Sequence, residues 1–100
     1  MQSLGARILL RRTLRGQAKR HLGIYGHTDD TETTAHNLDL SRHRAEAVRA
    51  ALAPLLGAGW TFDVQGFGET RPVAANERPD GTPYPDGRAR NRRVEILIVG

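Results

Sequence analysis

Residues 37–48 read Asn-Leu-Asp-Leu-Ser-Arg-His-Arg-Ala-Glu-Ala-Val, and they follow Gly-His-Thr-Asp at residues 26–29 after a short polar segment. This region has the most regular apolar spacing in the chain and predicts an amphipathic helix over residues 38–53. The apolar positions recur on one helical face: Leu40, Ala45, Val48, Leu52, Leu55 and Leu56. Asn37 or Asp39 is predicted to cap the helix by accepting a hydrogen bond from an unpaired backbone N–H.

Three other segments have the composition of short β-strands. Residues 21–26, 61–66 and 92–99 alternate apolar and polar side chains, which is typical of strands with one buried face. Residues 27–36 are polar and are predicted to form a loop. Residues 67–91 are rich in proline and glycine and are predicted to be mostly loop, with one possible helical turn in the Pro-Val-Ala-Ala stretch that starts at Pro72.

The N-terminal segment is predicted to be helical over residues 2–20, because Leu10, Leu14 and Ala18 recur at a spacing of four. This divides a single domain into an N-terminal helix at residues 1–20 and the remainder at 21–100. The predicted element order is helix, strand, helix, strand, long loop, strand. Such an order indicates an α/β (α+β) two-layer sandwich with its helices packed on one face of a small mixed sheet.

Composition limits the classes of function. The 100 residues carry a net charge of +4 and no cysteine, which excludes disulfides and thiolate metal sites within this sequence. No apolar run approaches the roughly 18 residues that span a bilayer, and no signal peptide is evident. The cations are almost all arginine. They indicate either a nucleic-acid or other polyanion binder, or a solvated basic face.

The most specific pair of charges is Asp29, in the polar loop, and Arg44, on the first turns of the predicted helix. A zwitterionic ligand needs an acceptor for its ammonium group, which a carboxylate supplies, and a planar fork for its carboxylate, which a guanidinium supplies. The helix N-terminus adds unpaired N–H groups that favour a carboxylate nearby. The alternative is that Asp29 and Arg44 pair with each other.

Other site chemistries have weaker support. His27 and His36 flank three acidic residues, but no metal-ligand spacing is present, so a solvated acidic loop is the better interpretation. No nucleophile elbow or phosphate-binding loop occurs, and capping or local backbone bonding explains Ser41. The residues therefore predict no metal, no cofactor and no catalytic site.

Four motifs, in this order, resemble the OmpA-like peptidoglycan-binding domain. They are Gly-His-Thr-Asp at 26–29, Asn-x-x-Leu-Ser-x-x-Arg-Ala-x-x-Val at 37–48, Gly-Phe-Gly-Glu-x-x-Pro-Val-Ala-x-Asn at 66–76, and Gly-Arg-x-x-Asn-Arg-Arg-Val-Glu-Ile at 87–96. The resemblance covers residues 20–98. It implies a non-catalytic module that holds a diamino acid of the peptidoglycan stem, typically diaminopimelate, by its free α-ammonium and α-carboxylate. The family's ligand-binding positions fall on Asp29, Arg44, Asn37, Thr31 and Arg92.

The resemblance has further implications. It implies a cell-envelope location facing the outer membrane or cell wall, peptidoglycan as partner, no nucleic acid, no membrane insertion by this chain and a possible homodimer. Asn91 and Arg93 are expected to shape the entry to the last strand. Family members have a strand before their first helix. Residues 1–10 contain no convincing strand, so we expect that strand to be missing. Three explanations stay open: the sequence is a fragment, its start site is misplaced, or residues 1–10 substitute for the strand.

Overall fold

The computed structural model describes residues 4–12 and 20–99. The elements are β1 (Arg7–Arg12), β2 (His21–His27), α1 (Thr34–Leu56), β3 (Thr61–Gly66), α2 (Pro85–Asn91) and β4 (Arg93–Val99). The strands form one mixed sheet in the order β1-β4-β2-β3. Strand β4 is parallel to β1 and antiparallel to β2, and β2 is parallel to β3. With α1 packed on one face of the sheet, the protein is the two-layer α/β sandwich that the sequence predicts.

The core lies between α1 and the two central strands. Strand alternation directs Leu22 and Ile24 of β2 to the same face as Val94 and Ile96 of β4, because Leu22 pairs with Ile98 and Ile24 with Ile96. Helix α1 meets them with Ala45 and Val48, and these six side chains are all buried. Ile24 is completely buried, so its truncation to alanine would cost about 2–5 kcal/mol of stability.

The N-terminal prediction is wrong where the structure describes it. Residues Arg7–Arg12 are a strand and not part of a helix, and they pair in parallel with β4 from Arg7↔Arg93 to Arg12↔Ile98. The expectation of a missing first strand is wrong for the same reason. The fourfold leucine spacing suggested a helix, but the Ile-Leu-Leu run instead pairs with β4. Residues 1–3 and 13–19 of the predicted helix lie outside the described residues.

Helix α1 is longer than predicted at both ends. It begins at Thr34, and the side chain of Thr33 caps it by accepting a hydrogen bond from the His36 N–H, so neither Asn37 nor Asp39 is the cap. Pro54 lies within the last turns, where its missing N–H leaves the helix intact. The helix ends at Leu56, and its C-cap, Gly57, has a φ of 76°, in the left-handed region that glycine adopts without strain.

The 67–91 region contains a helix that the sequence analysis missed. Helix α2 starts with Pro85 at its first turn, a position that tolerates proline. No helical turn forms at Pro72. Instead, the backbone there is held by Asn91, which accepts hydrogen bonds from Val73 N and Ala74 N and donates to Ala74 O. Strands β2, β3 and β4 lie within one residue of their predicted bounds.

Candidate functional site

The loop after β2 is held against the first turns of α1 by a close approach of backbone to backbone. A side chain at Gly26 would overlap the carbonyl oxygen of Ser41, and one at Gly66 would overlap the backbone of Arg42. Ser41 is completely buried, and its hydroxyl donates to Leu38 O and accepts from Gly68 N. Because glycine stands at both strand ends, helix and sheet come close enough to fix the loop that follows β2.

Asp29 is the most buried acid of this loop. Its side chain is 8% exposed. Its Oδ1 accepts hydrogen bonds from Thr31 Oγ1 at 2.6 Å and Thr31 N at 3.1 Å. Its Oδ2 accepts from Arg92 Nη1 at 2.8 Å. Burial raises the pKa of Asp29, but the hydrogen bonds from Thr31 and Arg92 outweigh it and hold the pKa below its ordinary value of 3.8. The group is therefore a carboxylate at neutral pH.

Arg44 reaches the same region from α1 without pairing directly with Asp29. Its Nε donates to Leu4 O at 2.8 Å, and its Nη2 lies 3.5 Å from Gly5 O. Its Nη1 is buried and has no hydrogen-bond partner among the described residues. Burial lowers the pKa of Arg44, and the charge of Asp29 partly offsets this effect. No ion pair joins Asp29 to Arg44 in the described part of the chain, so the alternative in which they neutralise each other is wrong.

Asn37 connects two loops to α1 through its side-chain hydrogen bonds. Its side chain is 1% exposed and donates to Glu32 O at 3.2 Å and to Glu69 Oε1 at 3.1 Å. These bonds tie the 28–33 loop and the turn after β3 to α1. Ligand contact by Asn37 stays a prediction. Of the other predicted residues, Thr31 and Arg92 bond directly to the Asp29 carboxylate, and Arg44 is close enough to feel its charge.

Arg88 at the rim of the site was given no role from the sequence. Its Nη2 lies 3.2 Å from Glu77 Oε1 and 3.5 Å from Asp30 Oδ1, so it ties α2 to the residue next to Asp29. The sequence signal that could have pointed to Arg88 was its place in the Gly-Arg pair that opens the fourth motif. Arg93 is 2% exposed and donates to Asn91 O and Arg71 O, which fits its expected role at the entry to β4.

His27 belongs to the scaffold below the site. Its ring stacks on Phe67 at a centroid distance of 5.5 Å, and its Nε2 lies 3.3 Å from Glu95 Oε1. Burial and the nearby Arg93 charge lower its pKa, so the imidazole is neutral at pH 7. Across residues 4–12 and 20–99, no three histidine or acidic side chains converge as metal ligands would.

The site can therefore offer a sheltered carboxylate and a guanidinium N–H with no partner among residues 4–12 and 20–99. Charge-assisted hydrogen bonds of this kind contribute about 1.5–3 kcal/mol each when sheltered from water. A molecule carrying both an ammonium and a carboxylate complements the pair.

Comparison with known proteins identifies the family. The model of the OmpA family matches residues 4–85. The chain belongs to the OmpA family. The match begins before β1, so the family resemblance includes the strand that the sequence analysis missed.

Several known proteins are similar to three quarters of the chain. Photosystem I P700 chlorophyll a apoprotein A2 of Gloeobacter violaceus is 49% identical over 75% of the chain and 9% of that protein. Outer membrane porin F of Pseudomonas aeruginosa is 45% identical over 75% of the chain and 20% of that protein. Peptidoglycan-binding protein ArfA of Mycobacterium tuberculosis is 39% identical over 75% of the chain and 21% of that protein. The chain thus spans a small part of each relative.

A solved structure supports the same assignment. The peptidoglycan-associated lipoprotein of Burkholderia pseudomallei superposes with a TM-score of 0.61 and 35% identity, over 76% of this chain and 59% of that one. No helix within the described ranges is both long and apolar enough to cross a membrane.

Proposed function

We propose that this chain is a non-catalytic module that binds peptidoglycan by gripping the zwitterionic end of a diamino acid in the stem peptide, of the diaminopimelate type. The observation that carries the proposal is the pairing of a sheltered Asp29 carboxylate with a nearby Arg44 whose Nη1 has no partner in the described structure. The names of ArfA and of the Burkholderia lipoprotein give independent support for peptidoglycan as the polymer.

The assigned roles follow from the contacts in the free protein. Asp29 accepts the ligand's ammonium, and Thr31 fixes the orientation of that carboxylate through its backbone N–H and its hydroxyl. Arg44 donates to the ligand's carboxylate. Arg92 holds Asp29 until the ammonium arrives, and its 37% exposed side chain then faces the ligand. Asn37 supports the rim from below.

The proposed location is the cell envelope, where a peptidoglycan ligand is available. Each module makes few contacts, so its affinity is expected to be modest, because association entropy offsets much of the gain. Several modules on one polymer would raise the overall affinity through avidity.

Co-sedimentation with purified sacculi tests the site. Asp29→Ala and Arg44→Ala are expected to reduce pelleting at least tenfold, because each leaves one charged end of the ligand without a partner. Arg42→Ala is the matched control, since Arg42 is an exposed arginine on the same helix. Circular dichroism checks that every variant is folded. Wild-type pelleting by both site variants would contradict the assignment.

A further inference from the structure

Arg44 is held by the main chain that precedes β1. Its Nε donates to Leu4 O at 2.8 Å, and its Nη2 lies 3.5 Å from Gly5 O. Both nitrogens lie on the same edge of the planar guanidinium, so two consecutive carbonyl groups face that edge. Among residues 4–12 and 20–99, no carboxylate forms an ion pair with Arg44.

Neutral acceptors orient a guanidinium without cancelling its charge. A carboxylate partner would fix Arg44 equally well, but it would neutralise the charge that an anionic ligand group needs. With carbonyl groups as its acceptors, Arg44 keeps its positive charge in a fixed orientation. Its Nη1, which has no hydrogen-bond partner in the described part of the chain, leaves further donor capacity on the same group. This arrangement favours a ligand with a negatively charged group.

The segment that carries these carbonyl groups is fixed on both sides. The side chain of Leu4 packs against the hydrophobic core. At the start of β1, Arg7 N donates to Arg92 O at 3.1 Å. The side chain of Arg92 in turn holds the Asp29 carboxylate. The main chain that orients Arg44 and the side chain that holds Asp29 are therefore joined through one residue.

Gly5 allows this segment to turn beside the guanidinium. Its φ of 64° lies in the left-handed region, which a residue with a side chain rarely adopts. A Cβ at this position would lie 3.1 Å from Nη2 of Arg44, which is closer than ordinary van der Waals contact. A side chain at position 5 would therefore strain the turn and press on the guanidinium.

We propose that Leu4 and Gly5 are positioning residues of the Asp29 site, whose carbonyl groups hold Arg44 in the orientation that receives the free carboxylate of a zwitterionic ligand. The inference rests on the proposed function and extends its site to a segment outside the four sequence motifs. The fixed orientation raises affinity, because the entropy of ordering a long side chain is lost on folding and not on binding. It also makes Gly5 a determinant of specificity for a carboxylate over an amide.

Solvent exchange of the Arg44 Nε–H tests this orientation without any ligand. Its NMR signal is identified by its absence from the spectrum of Arg44→Lys, and that of Arg42 by its absence from Arg42→Ala. We expect the Arg44 Nε–H to exchange at least tenfold more slowly than that of Arg42, an exposed arginine on the same helix, because Leu4 O accepts its hydrogen bond. Gly5→Ala is expected to remove most of this protection.

Gly81→Ala is the matched control for Gly5→Ala. Gly81 also has a left-handed φ, of 86°, but a Cβ there meets nothing within 4 Å. Both variants place alanine in the same strained region of backbone conformation, and only Gly5→Ala disturbs Arg44. In sacculus co-sedimentation, Gly5→Ala is expected to bind at least fivefold less than the wild type, and Gly81→Ala as much as the wild type.

A purely structural role of Gly5 would weaken every ligand alike. NMR titration therefore compares meso-diaminopimelate with its derivative in which both carboxylates are amidated, which lacks the anionic group for Arg44. Gly5→Ala is expected to lower the affinity for diaminopimelate at least fivefold and to leave that for the amide unchanged. Arg44→Lys keeps the charge but cannot bond Leu4 through Nε, so it is expected to lower the affinity for diaminopimelate at least fivefold. This variant tests the role independently of the fold of Gly5→Ala.

Four results would overturn the role of Leu4 and Gly5 alone. They are fast exchange of the wild-type Arg44 Nε–H, equal pelleting of Gly5→Ala and Gly81→Ala, equal losses of affinity for diaminopimelate and its amide, and wild-type affinity of Arg44→Lys. Each leaves the proposed function standing if the wild type pellets with sacculi and Asp29→Ala does not. Absence of wild-type pelleting would instead overturn the proposed function, and this role with it.

Discussion

Arg92 Nη1 lies 2.8 Å from Asp29 Oδ2, across 63 positions of sequence. The carboxylate proposed to receive a ligand's ammonium is thus already neutralised by the guanidinium that precedes β4. The ion pair holds the loop after β2 against the start of the last strand. A ligand ammonium would meet a carboxylate that already carries this contact, so we expect ligand binding to be coupled to the local order of this loop.

This pair predicts a pH dependence of stability. The pKa of Asp29 is lower in the folded protein than its ordinary value of 3.8, so its contribution is present above that value and is lost as the pH falls through the folded pKa. The free energy of unfolding is expected to decline as the pH falls from 5 to 3, and Asp29→Asn is expected to reduce that decline. Urea denaturation over this pH range measures it.

Glu95 also contributes to the decline of the unfolding free energy over the same pH range. Burial raises the pKa of Glu95, but its contacts with Arg93 and His27 together lower the pKa by a larger amount. The net pKa of Glu95 is therefore also below its ordinary value. Asp39→Asn, at an exposed position on α1, is the control. The same pH slope in wild type and Asp29→Asn would argue against the Asp29 ion pair as a stabilising contact.

Ser41 is predicted to be structural. Ser41→Ala removes the hydroxyl that accepts from Gly68 N at 2.9 Å and leaves this buried N–H unpaired. The expected loss is about 1–3 kcal/mol of unfolding free energy. Thr70→Ala removes an exposed hydroxyl bonded to Phe67 O and is expected to cost less than about 0.5 kcal/mol. Chemical denaturation of both variants provides the comparison, and equal losses would refute the role given to Ser41.

The salt dependence of binding distinguishes the proposed Asp29 and Arg44 site from general polyanion binding. A clamp with few charged contacts is expected to lose less than tenfold in sacculus affinity between 50 and 200 mM salt. A protein that neutralises about 6–10 phosphates loses about 10³–10⁵ over that range. Titration of duplex DNA beside the sacculus assay makes the comparison. Steep salt dependence in both assays, insensitive to Asp29→Asn, would favour the arginine-driven alternative.

Local periodicity was sufficient for α1, β2, β3 and β4. It failed for β1, because the leucines of the N-terminal segment have helical spacing while the strand is specified by pairing with β4, more than 80 residues away in sequence. It also failed for α2, a seven-residue helix held by tertiary bonds such as those of Asn91 to Ala74. Elements stabilised mainly by distant partners leave a weak local signal.

The features of the site were likewise predictable only where they depend on local sequence. The charges of Asp29 and Arg44 were recognisable from residue type and position. Their partners were not, because Arg44 donates to the Leu4 carbonyl and Asp29 pairs with Arg92, and both contacts depend on how distant segments meet. The buried state of Asn37 likewise depends on Glu69, which lies beyond the next strand.

The central claim is that one ligand carries both charges that Asp29 and Arg44 recognise. The most direct measurement is an NMR titration of the wild-type protein and Asp29→Asn with meso-diaminopimelate, and with two derivatives in which both amines are acetylated or both carboxylates are amidated. For the wild-type protein, we expect diaminopimelate to give saturable chemical-shift changes of the Thr31 and Ala45 amides. We expect either derivative to bind the wild type at least tenfold more weakly, and diaminopimelate to bind Asp29→Asn at least tenfold more weakly. Equal binding of the acetylated derivative, or unchanged binding by Asp29→Asn, would contradict the account.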